Sequence, residues 1–202
     1  MNTAQLALQA AGLAYSAPNC WGGNGQAYAD FDRPSNRLVV AIAGTNGKRD
    51  VAQDARFWKT PIGQGAEVHA GFLDHYKSLW PSLDAKLQSW GPLDSPRILV
   101  AGHSLGAAVA VLLVWSRPYL FKGCEVVLFG CPYVGNRNFA QMFDMVCKDN
   151  RITVTRYVSK GDPVASFHAP GDWAHVGRLV EVGADGDWSL DHPLSAYAAA
   201  LS

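Results

Sequence analysis

The sequence has no excess of charge of either sign: Lys plus Arg and Asp plus Glu number 17 each, and charged residues make up only 17% of the chain. That balance supplies no basic face for nucleic acid or an anionic membrane surface, and no reason to expect a highly charged substrate. Nor is there an uninterrupted apolar run long enough to span a bilayer, because the best candidate, Ile98 to Trp115, is broken by His103 and Ser104; stable membrane insertion is not expected. Met1 to Tyr15 has no basic residue ahead of its apolar positions, which Asn2, Gln5 and Gln9 interrupt, so it does not read as a secretory signal. The default expectation is a soluble, cytoplasmic protein, although a secreted mature form would look the same.

Cysteine is sparse and unpatterned. Cys20, Cys124, Cys131 and Cys147 show no CxxC pair and no zinc spacing. Cys124 and Cys131 bracket "EVVLFG"; as a strand this run holds their Cα atoms roughly 23 Å apart, beyond the ~7 Å limit for a disulfide. Free thiols are expected, and none sits beside a candidate base. Repeats, linkers and low-complexity segments are also missing. With 202 residues, 49% of them apolar, the chain fits one domain, residues 1–202, able to bury a real core.

What is present is an alternation of strand-like and helix-like runs. Asn2 or Thr3 can cap a first helix through about Ala14, which "APNCWGGNGQ" ends. "QAYADF" alternates as a half-buried strand and "RLVVAIAG" is a continuous apolar strand closing at Gly44. "FLDHYKSLWPSLDAKLQSW" has helical spacing, with Phe72, Tyr76, Leu79, Leu83 and Leu87 on one face, and Pro81 is expected to bend or break it. A strand "EVVLFG", a helix within "NRNFAQMFDMVC", strands "RITVTRYV" and "HVGRLVEV", and a final helix from Pro193 to Leu201 follow. Such alternation implies an α/β fold with a mainly parallel sheet covered on both faces.

Chemistry concentrates at "RILVAGHSLGAAVAVLLVW", where Gly102-His103-Ser104-Leu105-Gly106 separates an apolar strand from a long alanine-rich helix. A strand that turns into a helix at a serine needs residues without bulk on either side, and Gly102 and Gly106 supply them. This resembles the nucleophile elbow of the α/β-hydrolases, in which Ser Oγ stands exposed beside a helix N-terminus. A serine hydroxyl needs a base. After Ser104 the sequence offers His168, His175 and His192. Asp162 is the best placed acid, on the loop after "RITVTRYV", where parallel geometry puts strand carboxyl ends on the elbow's edge; its plainer role is a turn aspartate before Pro163. His175 opens an alternating strand and suits a structural role, and His168 suits a loop or pocket residue. His192 follows the last strand and a Gly/Asp-rich turn, so it can swing over the sheet edge. Asp191 reads as the cap of the final helix, not as the acid.

Six blocks, "VAIAGTNGKRDVAQDA", "VHAGF", "VAGHSLGAA", "GDPV", "HVG" and "DHPLSAY", occur in the order and approximate spacing seen in the class 3 lipases, and the resemblance covers about Leu38 to Tyr197. It implies the α/β-hydrolase fold, a central mostly parallel sheet flanked by helices on both faces, with Ser104 as nucleophile, Asp162 as acid and His192, in the family's Asp-His-x-x-Tyr, as base. It also maps an oxyanion hole to Thr45, through its N–H and hydroxyl, and to the N–H of Leu105; donors of this kind are commonly worth about 3 kcal/mol each. His69 and Gly71 fall in a block taken as support of the sheet edge.

The departures are informative. Ala43 stands where the family usually has Arg, and Ala107 where it commonly has a second Gly. The lid, around residues 46–58, reads "DVAQDA" from Asp50 through Val51 to Ala55, where family lids often show Asp-Trp-x-x-Asp-Leu. A polar flap exposes little apolar surface on opening, so adsorption to oil should be weak and short or soluble acyl esters preferred. Trp58 and Trp188, near the lid and the base loop, are candidates to line an acyl pocket with Val51. The expected activity is two-step acyl-ester hydrolysis of a small-molecule or lipid ester, without metal or organic cofactor. Competing readings are a phospholipase or acyltransferase using the same triad, and a non-catalytic binding module that keeps the hydrolase shell. Oligomeric state is not readable.

Overall fold

The computed structural model describes residues 1–44, 58–166, 171–183 and 191–202. The first helix, α1 (Thr3–Ser16), starts at Asn2, whose side chain accepts the Gln5 N–H while Gln5 reaches back to the Asn2 N–H, a reciprocal cap. It buries Ala4, Ala7, Ala10, Ala11 and Ala14, small side chains that let its backbone lie close on the sheet. Strands β1 (Cys20–Gly22), β2 (Gly25–Asp32) and β3 (Arg37–Ile42) form an antiparallel edge. From β3 onward the sheet is parallel, through β6 (Arg97–His103), β7 (Glu125–Phe129), β9 (Thr153–Ser159) and β11 (Arg178–Val182). The order across the seven strands is β1-β2-β3-β6-β7-β9-β11.

Period-two patterning sorts the strand residues onto two faces. Val40, Val100, Val126 and Leu128 join the cluster under α2 (Ala70–Gln88), α3 (Leu105–Ser116) and α4 (Arg137–Asp149). Ala41, Leu99, Ala101, Val127 and Phe129 face the other way, onto α1 and α6 (Leu194–Ala200). The expected mostly parallel sheet covered on both sides is therefore found. Helix α3 is apolar all round and buried from Gly106 to Val114, as a helix enclosed between a sheet and other helices must be.

Three expectations change. Helix α2 runs unbroken through Pro81. Pro81 and Lys77 are both exposed, so the carbonyl that loses its partner faces water, while Tyr76, Leu79 and Leu83 hold the buried face on either side. A second sheet, of order β10-β8-β5-β4, was not foreseen. Its strands β4 (Lys59–Gly63), β5 (Ala66–His69), β8 (Gly135–Asn136) and β10 (Trp173–Ala174) are too short to show a period. The buried Asn136 secures it, accepting N–H groups of Glu67 and Phe139 and donating to the Gly65 carbonyl. Finally, α6 begins after Pro193 with no side-chain cap, so Asp191 does not cap it; the proline's fixed backbone, two residues further on, takes that place. All four cysteines are free and buried. No helix among the described residues is long and apolar enough to cross a membrane.

Candidate active site

The carboxyl ends of β3, β6, β9 and β11 share one edge, and the chemistry-bearing residues follow from them. Ser104 succeeds β6 with φ 57° and ψ −129°, a conformation costly for a residue with a Cβ. Its N–H is tied to the Phe129 carbonyl on β7, and its side chain makes no cap hydrogen bond to α3, which leaves Oγ free to point elsewhere. The glycines permit this turn for a measurable reason. A Cβ on Gly106 would lie 2.2 Å from the Ile42 carbonyl oxygen, and one on Gly102 would lie 2.6 Å from the Gly106 oxygen.

Ser104 Oγ lies 2.9 Å from His192 Nε2, and His192 Nδ1 lies 2.9 Å from both carboxylate oxygens of Asp162. A carboxylate only accepts, so Nδ1 carries the proton and the Nε2 lone pair faces the serine hydroxyl. Asp162 is fully buried, at 0% exposure. Its Oδ1 accepts the N–H groups of Val164 and Ala165, at the start of α5 (Pro163–Ser166). Burial opposes its charge, but hydrogen bonds from His192, Tyr197 and the Val164 N–H, together with the His192 charge, hold the carboxyl below its ordinary range. The turn-aspartate role and the hydrogen-bonded role coexist in one residue.

Tyr197 is the residue that reading the sequence missed as a participant. Its hydroxyl donates to Asp162 Oδ2 at 2.5 Å and accepts the Ser159 N–H at 3.2 Å. It lies five residues after His192, two later than the Asp-His-x-x-Tyr spacing places it. The signal available was its place in "DHPLSAY".

The other candidates divide. Leu105 opens α3, so its N–H belongs to the first turn, where no i−4 carbonyl exists to take it. His175 is elsewhere: its Nε2 pairs with the Ala165 carbonyl and its ring stacks on Tyr133 at 3.8 Å. His69 ends β5 and caps α2 through Nδ1, which accepts the Phe72 N–H, while its ring stacks on Phe72. Trp58 is 72% exposed. Thr45, Val51, His168, Trp188 and the "DVAQDA" flap lie outside the described residues.

The family model described as Lipase (class 3) matches residues 39–171. A secreted mono- and diacylglycerol lipase of Malassezia globosa is 29% identical over 132 residues, 59% of this chain and 43% of that protein. A second secreted mono- and diacylglycerol lipase, from Malassezia restricta, is 32% identical over 141 residues, 61% of this chain and 44% of that protein. The matched stretch thus covers less than half the length of these curated relatives. Among solved structures, lipase II from Rhizopus niveus is 26% identical with a TM-score of 0.68, covering 90% of this chain and 81% of the other. The sheet and its helices form the α/β-hydrolase fold.

Proposed function

The chain belongs to the class 3 lipase family, and from that premise we propose that it is a serine hydrolase of carboxylic acyl esters, with Ser104 as nucleophile, His192 as general base and Asp162 as acid. The observation that carries this reading is the single imidazole held at 2.9 Å from both the Ser104 hydroxyl and the Asp162 carboxylate.

His192 Nε2 takes the Ser104 proton as Oγ attacks the ester carbonyl. The resulting oxyanion is met by the Leu105 N–H and by Thr45. Asp162 keeps the proton on Nδ1 and stabilises the imidazolium. His192 then gives its Nε2 proton to the departing alcohol, leaving Ser104 acylated. Water, deprotonated by the same nitrogen, attacks the acyl carbon; the carboxylic acid leaves and Ser104 regains its proton. Atoms and charge balance without a metal or a cofactor.

The substrate reading is narrower. The polar flap favours short or soluble acyl esters over dispersed oil, and relatives named for mono- and diacylglycerols point to partial glycerides as the lipid substrates to try first. Those named as secreted favour an extracellular site of action over the cytoplasmic default.

Two measurements test the reading. A fluorophosphonate should label Ser104, and Ser104→Ala should lose both labelling and nitrophenyl-ester hydrolysis while keeping its Tm; hydrolysis that survives the substitution refutes the assignment. Initial rates against esters of increasing acyl length, below and above their solubility limits, test the flap. A jump in rate above the limit refutes the preference for soluble esters.

A further inference from the structure

A second hydrogen-bond chain runs through the site, and the triad does not use it. His103 immediately precedes Ser104 and is 5% exposed. Its Nε2 lies 2.8 Å from the main-chain oxygen of His192, and its Nδ1 lies 2.7 Å from the hydroxyl of Tyr15 on α1. That hydroxyl in turn accepts the Gly44 N–H at 2.8 Å. The polarity of every link is fixed. The His192 carbonyl only accepts, so His103 Nε2 donates. On a neutral ring Nδ1 must then accept, so Tyr15 donates to it and its oxygen receives the Gly44 N–H. Burial favours the neutral ring, pushing His103 down to about 4, and raises the Tyr15 hydroxyl to about 12.

The ends of this chain matter more than its middle. Gly44 lies two residues beyond β3 and is the residue before Thr45; His192 carries the imidazole that faces Ser104. We propose that Tyr15 and His103 are positioning residues: one strut ties Gly44, on the segment that leads from β3 to Thr45, to the main chain of His192, and so sets the base against the elbow from that segment. The inference rests on the hydrolase reading above. A core hydrogen bond between two scaffold elements would affect stability alone. A link joining two reacting segments also affects rate, because about 1 Å of misplacement can cost on the order of a hundredfold. Space around the strut is tight, since a Cβ on Gly44 would lie 2.7 Å from the Tyr15 oxygen and 3.0 Å from Ser104 Cβ.

Three substitutions separate the links. Tyr15→Phe keeps the ring and removes only the hydroxyl, leaving Gly44 N–H and His103 Nδ1 unpaired. His103→Gln sets an amide nitrogen near the place of Nε2 and preserves donation to His192. His103→Asn sets its amide group near the place of Nδ1, keeping the Tyr15 link and losing that to His192. For variants assayed well below their own Tm, kcat should fall about ten- to a hundredfold in Tyr15→Phe and His103→Asn with KM within about twofold, and less in His103→Gln. In 15N-histidine NMR of the wild type, His103 should read as the neutral Nε2–H tautomer at pH 7, a measurement that needs neither activity nor a folded variant. The opposite tautomer, or unchanged kcat in the folded variants of an active wild type, overturns the strut while leaving the hydrolase reading intact. A wild type that neither hydrolyses esters nor takes the fluorophosphonate overturns the hydrolase reading, and the strut's role with it.

Discussion

Tyr197 donates a 2.5 Å hydrogen bond to Asp162, and its oxygen also accepts the N–H of Ser159, the last residue of β9. The ring is fully buried, edge-on to Phe129 at 5.7 Å. One hydroxyl thus joins the end of a strand to the carboxylate that follows it. Tyr197→Phe preserves the packing and leaves a buried N–H without a partner, so unfolding free energy should fall by about 1–3 kcal/mol. Asp162 also loses a donor, and kcat should drop by roughly tenfold. Thermal unfolding and ester kinetics check the two effects separately; a variant matching the wild type in both would show that the hydrogen bond contributes nothing.

Asp162→Asn should act through the imidazole tautomer. An amide nitrogen facing His192 Nδ1 drives the proton to Nε2, where it meets the Ser104 hydroxyl as a donor and cannot accept from it. kcat should fall by about 10⁴-fold with KM little changed, and adding Ser104→Ala should lower it only slightly further, because the groups act as a unit. Steady-state rates of the two single variants and the double variant provide the check. Near-additive losses would mean that Asp162 acts independently of Ser104.

The same edge shows which features the sequence carried and which it hid. The meeting of Ser104, Asp162 and His192 was legible because Ser104 and Asp162 follow plain apolar strands and His192 follows an alternating one, and a parallel sheet collects strand ends on one side. The free cysteines and the two-faced sheet were legible for similar reasons of length and period. Tyr15 was not: its partners are 29 and 88 residues away, and a tyrosine near the end of a helix looks like any other half-buried aromatic. The short strands β4, β5, β8 and β10 have too few residues for a period to emerge, and the Asn136 side chain that secures them acts across some seventy positions. Pro81 misled because helix propensity is local, whereas the apolar residues that keep α2 intact find their partners on other elements.

Two glycine substitutions should move stability in opposite directions. In Gly106→Ala the new Cβ meets backbone, 2.2 Å from the Ile42 oxygen and 2.6 Å from the Ala43 carbonyl carbon, so β3 or α3 must shift. A loss of roughly 3 kcal/mol is expected, with activity falling as well because β3 leads to Thr45. Gly12, within α1, has only Leu194 Cδ2 at 4.0 Å from the corresponding position. There alanine should stabilise by about 0.5–1 kcal/mol, the ordinary helix-interior difference. Denaturant melts of the pair test this, and equal effects at the two sites would contradict the tight elbow.

Acid should destabilise the protein through a buried imidazole that resists protonation. Burial holds His103 down to about 4 from an ordinary 6.5; the His192 charge adds to this, while the hydrogen bond to the His192 main chain and the Asp162 charge oppose it. Between those values the unfolded chain binds a proton that the folded protein refuses, so stability is complete above pH 6.5 and declines as the pH falls to 4. The loss is on the order of 3 kcal/mol. Burial lowers His69 as well, which adds in the same direction. Asp162 has the opposite shift for its charge type: its carboxyl is depressed below 3.8, so its contribution is present above that value and disappears only at lower pH. Tm measured from pH 7 to pH 4 should therefore slope downward, and His103→Gln, which cannot take up the proton in either state, should flatten most of the slope. A variant with an undiminished slope would assign the acid sensitivity to groups other than His103.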